Sequence, residues 1–192
     1  MPPRSGERRL QILQTLAEML EAPNPERITT AALAGRLDVS EAALYRHFAS
    51  KAQMFDGLIE FIEQTVFSLL NRIGTDEPPG LRQIDAMITL LLGFAQKNRG
   101  MTRVLIGDAL VHENARLQAR INQLHDRMEA TLRQAVRLAQ AAGDLPADLD
   151  VTAHANALIA FVTGRWHQFA KSGFTRDPAQ HWAEQRRVLL AH

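Results

Sequence analysis

Apolar residues recur at three- and four-residue intervals along nearly the whole chain, and no run alternates with the period of two that marks a strand. The pattern predicts an all-α protein of about nine helices. Leu10, Leu13, Ala17 and Leu20, flanked by Ile12, Leu16 and Met19, outline a first helix over roughly 6–22, with Pro23-Asn24-Pro25 as its breaker. Thr29 or Thr30 caps a short helix carrying Leu33 and Leu37, and Leu37-Asp38-Val39-Ser40 reads as a turn. Ser40 then caps a third helix ending around Phe48, in which Glu41 suits the positive end of the helix dipole and Leu44 and Phe48 share a buried face. Ser50 and Gln53 read as a capping box opening a long helix over about 51–73, stopped by Gly74 and the Glu77-Pro78-Pro79-Gly80 loop. Further helices are expected at about 81–98, 102–110, 113–141 and 150–171, and a last one at Asp177-Pro178, with proline at its first position.

Three short helices, the second and third joined by a tight turn, follow the helix-turn-helix plan. Leu33, Leu37, Val39, Leu44 and Phe48 would pack on the first helix and turn the remaining face of the third outward, where Glu41, Ala42, Tyr45, Arg46 and His47 lie. Small residues such as Ala42 and Ala43 let a helix sit deep in a DNA major groove, and an alanine methyl can meet a thymine methyl. Tyr45, His47 and Lys51, with the hydroxyl and backbone N–H of Thr30, are spaced to grip phosphates. Arg46 can reach a base edge or a phosphate, and Arg4, Arg8 and Arg9 can add backbone or minor-groove contacts. The same spacing also fits a three-helix core with a merely solvated outer face. The sequence holds no internal repeat or flexible linker, so residues 1–50 and 51–192 are expected to be two domains sharing the long helix.

Charge narrows the picture. The 192 residues are 46% apolar, contain no cysteine and carry a formal charge of +1. Residues 1–56 hold seven Lys/Arg and seven Asp/Glu, so no blanket basic surface exists and any DNA binding must come from local placement. Absence of cysteine excludes disulfides and thiolate chemistry. The polar start MPPRSGERRLQ shows no secretory signal, and apolar runs stay far short of the ~20 residues a membrane span needs, which predicts a cytoplasmic protein. No catalytic constellation is visible: His112-Glu113 lacks the second histidine of a zinc helix, and His125, His154 and His167 share no ligand spacing. No cofactor or metal is expected.

Two further surfaces stand out. On the long helix, Phe55, Leu58, Ile59, Ile62, Val66, Leu69, Leu70 and Ile73 form one stripe, while Phe61 and Phe67 lie about 120° to either side of it. On the next helix, Ala86, Leu90, Gly93 and Lys97 run opposite the Leu81, Ile84, Ile88, Leu91 and Ala95 stripe. A mid-helix glycine such as Gly93 costs about 1 kcal/mol relative to alanine, which fits a close approach by another backbone. Internal packing and a partner site both fit this pattern. In the 150–171 helix, Leu158, Val162, Trp166 and Phe169 form a broad apolar face, extended by Trp182 and Leu189 in the last helix. That face would serve either a homodimer interface or a single-chain core.

The run RITTAALAGRLDVSEAALYRHFASKAQMFDGLIEFIE, residues 27–63, resembles the N-terminal domain of the TetR family of transcription factors. LLLGFAQKNRGMTRVLIGDAL (90–110) and LQARINQL (117–124) extend the resemblance to those members that act in nucleoid occlusion. The resemblance implies an all-helical, nucleoid-associated homodimer on palindromic double-stranded DNA sites, with more than one dimer per site allowed. It also implies antagonism of polymers of the tubulin-like division protein FtsZ. Thr30, Ser40, Ala42, Ala43, Tyr45, His47 and Lys51 fall where the family contacts DNA, and Phe61, Leu90, Gly93, Lys97 and Asn98 fall on the implied FtsZ surface. Three positions depart from the family pattern: Ala32 and Leu69 replace expected basic residues, and Ala49 replaces a proline. A ligand-responsive TetR-type repressor is the alternative, and an adaptor that has lost DNA binding is a second.

Overall fold

The structure, a computed structural model, describes residues 5–22 and 28–190. The expected breaker at 23–25 and the basic residues Arg4 and Arg27 lie outside the described residues. Among those described, nine α-helices, one 3₁₀ turn and no strand are present. The helices are α1 (Ser5–Met19), α2 (Thr30–Arg36), α3 (Glu41–Tyr45), α4 (Lys51–Asp76), α5 (Leu81–Lys97), α6 (Arg99–Leu105), α7 (Ala115–Ala141), α8 (Val151–Lys171) and α9 (Trp182–Leu189). No helix among them is long and apolar enough to cross a membrane.

The chain forms two compact units, Met1–Ile62 with Asn98–Ile121, and Glu63–Lys97 with Asn122–His192. In the first unit, Ile12 and Leu16 of α1, Leu33 of α2, Leu44 of α3, and Met54, Phe55, Leu58 and Ile59 of α4 are buried together with Val104 and Leu105 of α6. Two glycines allow this packing to close. A Cβ on Gly57 would sit 3.1 Å from the Phe48 ring, and one on Gly100 would sit 1.8 Å from the Ala17 carbonyl oxygen. Arg103, itself buried, ties the end of α1 to α6: Nη2 donates to the Ala22 carbonyl at 3.0 Å and Nη1 pairs with Asp108 at 3.0 Å.

In the second unit, Val66, Phe67 and Leu70 of α4 join Ile84, Ile88, Leu91 and Leu92 of α5, Met128 and Val136 of α7, and the apolar face of α8. Phe67 is covered by the Arg127 guanidinium, 4.1 Å from its ring centroid, and Arg127 also pairs with Glu63. The start of α5 takes its cap from a distant residue, because Leu81 N donates to Asp144 Oδ2 at 3.1 Å.

The apolar face of α8, open to either a homodimer interface or a single-chain core, lies largely inside the single chain. Leu158, Val162, Trp166, Phe169 and Trp182 are all buried within the single chain, and Leu189 is half-buried. The Trp166 indole donates to the Leu91 carbonyl at 2.9 Å, and that of Trp182 to Asp85 Oδ1 at 2.9 Å and Thr89 Oγ1 at 3.1 Å. Arg186 adds an ion pair to Asp85 at 2.6 Å. An apolar stripe specifies burial without specifying against which chain, and α5 supplies that burial. The exposed side of α8 carries instead Ala153, Ala157, Ala160 and Gly164.

Several helix ends also differ: α4 runs through Gly74 to Asp76, and the helix expected over 102–110 is α6 (Arg99–Leu105) followed by a separate 3₁₀ turn at Asp108–Leu110. The last helix begins at Trp182 rather than Asp177, because the Arg165 guanidinium takes the carbonyls of Asp177 (2.8 Å), Pro178 (2.9 Å) and Gln180 (3.0 Å). Asp177 still caps a turn, its Oδ1 accepting from Ala179 N at 2.8 Å and its carbonyl from Gln180 N at 3.2 Å, but His181 adopts φ 70° before α9 starts. The third helix ends at Tyr45, and the Leu44 carbonyl accepts from both His47 N (2.9 Å) and Phe48 N (3.1 Å).

Candidate nucleic-acid interface

Local capping aims α2 and α3. Thr29 precedes α2, and its Oγ1 accepts from Ala32 N at 3.1 Å. The end of α2 closes with Asp38 N to Gly35 O (3.2 Å) and Val39 N to Ala34 O (3.0 Å), the paired bonds of a helix reversal in a left-handed residue. That residue is Asp38, at φ 52°, a conformation that aspartate tolerates better than most side chains. Ser40 Oγ then accepts from Ala43 N at 3.2 Å and starts α3 immediately. Buried Leu44 and Phe48 fix its inner side.

On the outer side, three of the singled-out residues form one cluster. Thr30 Oγ1 donates to Glu41 Oε2 at 2.5 Å, and the Tyr45 hydroxyl lies 3.4 Å from Thr30 Oγ1. Glu41 thereby orients the α2 start relative to α3, a positioning task that suits a carboxylate better than facing phosphates does. Tyr45 is 45% exposed, and Ser40, Ala42 and Arg46 are exposed with it. Ala43 and His47 are half-buried and line a hollow of about 250 Å³ with Arg8, Ile12, Leu37, Val39 and Arg46. Arg9 holds the end of α3 from behind: its Nη1 donates to the His47 carbonyl at 2.5 Å and its guanidinium stacks 4.2 Å from the Phe48 ring centroid.

Lys51 departs from the expectation that it extends toward a phosphate. Its Nζ pairs with Glu113 at 2.5 Å, the two side chains being only 21% and 11% exposed. Glu113 stands 62 residues away, beyond any local spacing rule, which is why sequence reasoning missed it. The departure at Ala49 has a use: its N–H, which proline would lack, donates to Gln53 Oε1 at 2.8 Å while Gln53 N donates to Ser50 Oγ at 3.2 Å. The capping box is therefore shifted back by one residue on its side-chain arm.

In the second unit, Leu69, Arg72, Ile73, Asp76 and Glu77 of and just beyond α4 line a groove of about 190 Å³ with Ala86 and Leu90 of α5. Leu90 is half-buried there, and a Cβ on Gly93 would meet open space. Arg72, three residues after Leu69, brings to this groove the positive charge that position 69 lacks. Lys97 is exposed at the end of α5; Asn98, half-buried, precedes α6 and its carbonyl accepts from Thr102 N at 2.9 Å. Phe61, half-buried on α4, falls in the first unit. Among the described residues no group of three or more His, Cys, Asp or Glu could hold a metal ion.

A helix-turn-helix at the N-terminus of an all-helical chain defines a DNA-binding regulator class, and comparison with known proteins agrees. Residues 12–58 match the family profile "Bacterial regulatory proteins, tetR family", and residues 79–192 match "Tetracyclin repressor-like, C-terminal domain". The chain belongs to the TetR family. Within it, the chain is 48% identical over 189 residues to the nucleoid occlusion factor SlmA of Marinomonas sp. (strain MWYL1), covering 98% of this chain and 96% of that one. It is 49% identical over 178 residues to SlmA of Alteromonas mediterranea, covering 93% and 91%. The fold is similar to the fatty acid degradation regulator FadR from Bacillus halodurans, with a TM-score of 0.81 at 13% identity over 98% of this chain and 97% of that one.

Proposed function

We propose that this chain is a sequence-specific DNA-binding nucleoid occlusion factor, acting as a homodimer in the cytoplasm on the nucleoid. The observation that carries the reading is near-full-length similarity, at 48–49% identity, to proteins named nucleoid occlusion factor SlmA. In this account residues 1–50 read DNA. Ser40, Ala42 and Ala43 bring α3 close to the major groove, while Thr30, Tyr45, Arg46 and His47 hold phosphates or base edges, with Glu41 setting their geometry. Residues 51–192 provide dimerisation and a partner surface. Dimerisation is assigned to the exposed small-residue side of α8 and the exposed Val188 of α9, since small side chains let helices approach closely. Twofold symmetry would place two α3 helices on palindromic half-sites. No catalytic step is involved.

The partner is the tubulin-like protein FtsZ, received in the second unit along Leu90, Gly93 and Lys97; Asn98 and Phe61, implied for the same partner, belong to the first unit. The groove at Leu69 and Leu90 offers apolar walls beside Arg72, suited to an extended segment with apolar and acidic residues. Sedimentation of FtsZ polymers with this protein, with and without a palindromic duplex, tests the reading. DNA-loaded protein should reduce the pelleted polymer, and Leu90→Glu should abolish that effect while leaving DNA affinity unchanged. A Leu90→Glu protein that folds and still acts on the polymers would remove Leu90 from the partner surface, and one that no longer folds would assign Leu90 to the core.

A further inference from the structure

Lys51 is the first residue of α4, directly after the turn that ends the helix-turn-helix. Its ammonium lies 5.6 Å from the Phe55 ring centroid and 2.5 Å from Glu113 Oε1. Glu113 belongs to the turn between the 3₁₀ segment Asp108–Leu110 and α7, and its own N–H is tied to the Leu110 carbonyl at 2.9 Å. One carboxylate on a fixed turn thus holds a cation that side-chain rotation alone can release, because four methylene groups separate the ammonium from the α4 backbone.

We propose that Glu113 is an intramolecular competitor for the DNA phosphate that Lys51 would otherwise bind, so that the pair acts as a latch opened by DNA. The proposal rests on the DNA-binding reading above. In the free protein the ion pair is closed. On DNA, a phosphate displaces Glu113, and the affinity gained from Lys51 is reduced by the ion pair that is lost. Glu113, deprived of its partner, then repels the phosphate and loosens its turn. By linkage, whatever DNA does to the pair, the pair does to DNA affinity in equal measure.

The test is fluorescence anisotropy of the full-length chain on a labelled duplex that the wild-type protein selects from a random pool, at fixed salt. Glu113→Gln, which keeps the side-chain shape and removes the charge, should tighten binding about fivefold per protomer, as expected for release of a partly buried ion pair. Glu113→Ala should do the same. In a Lys51→Ala background the effect of Glu113→Gln should shrink to about twofold or less, since only the general removal of a negative charge remains. Backbone hydrogen exchange at residues 110–114 of the wild type should also rise when the duplex is added. Equal gains with and without Lys51 would overturn the latch and leave a plain charge effect; unchanged or weaker binding by Glu113→Gln would overturn it too. A wild-type chain that selects no duplex would overturn the DNA-binding reading together with the latch.

Discussion

Trp166 separates two accounts of α8, because a residue that serves the single-chain core and one that serves a dimer interface respond differently to substitution. It is 0% exposed within one chain, and its indole N–H donates to the Leu91 carbonyl at 2.9 Å. Trp166→Phe removes that hydrogen bond, worth about 1 kcal/mol net. It also leaves a partial void, costing about a further 1–2 kcal/mol by comparison with other large-to-small core changes. The combined loss of about 2–3 kcal/mol corresponds to a fall in Tm of roughly 5–10 °C for a chain of this size. Thermal unfolding followed by circular dichroism at low and high protein concentration, with sedimentation velocity at the same concentrations, reads both properties. The melting point should drop by that amount at either concentration, and the oligomeric state should hold. An unchanged melting point accompanied by dissociation of a dimer would refute the assignment of Trp166 to the core.

Tyr45→Ala should cost under about 1 kcal/mol of stability, because the side chain is 45% exposed and its hydroxyl contact is long at 3.4 Å. Its DNA affinity should nonetheless fall about tenfold in an anisotropy titration at matched salt, as for one lost contact in each half-site. Gly100→Ala places a methyl 1.8 Å from the Ala17 carbonyl oxygen and should destabilise the first unit by about 3 kcal/mol, read as a lower urea midpoint. Glu129 makes a pH prediction: the hydrogen bond from Asn156, then that from Arg133, hold its carboxyl below the ordinary value. Folding therefore favours its charged form, so this stabilisation is present above the unfolded pKa and is lost as pH falls through the lower folded pKa. The stability difference between wild type and Glu129→Gln should narrow as acid is added across that window, and a constant difference would contradict the assignment.

The local grammar of the chain carried most of the fold. Ser40 and Ser50 announce the starts of α3 and α4 because a cap is a contact across three residues, and both hydroxyls accept the N–H expected of them. The spacing of Leu44 and Phe48 likewise turned α3 the right way, with both residues buried. What sequence did not reveal depends on residues far apart along the chain. The Asp177-Pro178 start is overridden by Arg165, and the cap of α5 comes from Asp144. The stripe on α8 declared that it would be buried but not that α5 would bury it. At the candidate DNA surface, Lys51 carried the right charge at a plausible position, and only the fold shows that Glu113 already holds it.

Nucleoid occlusion requires this protein to mark the nucleoid. Its most direct test is a map of where the protein sits on its own chromosome in growing cells, by crosslinking and sequencing of the bound DNA. Many dispersed sites sharing one palindrome, sparse near the terminus where the septum must form, are expected. A single peak, or a few confined to promoters, would contradict nucleoid occlusion and make the protein a conventional repressor.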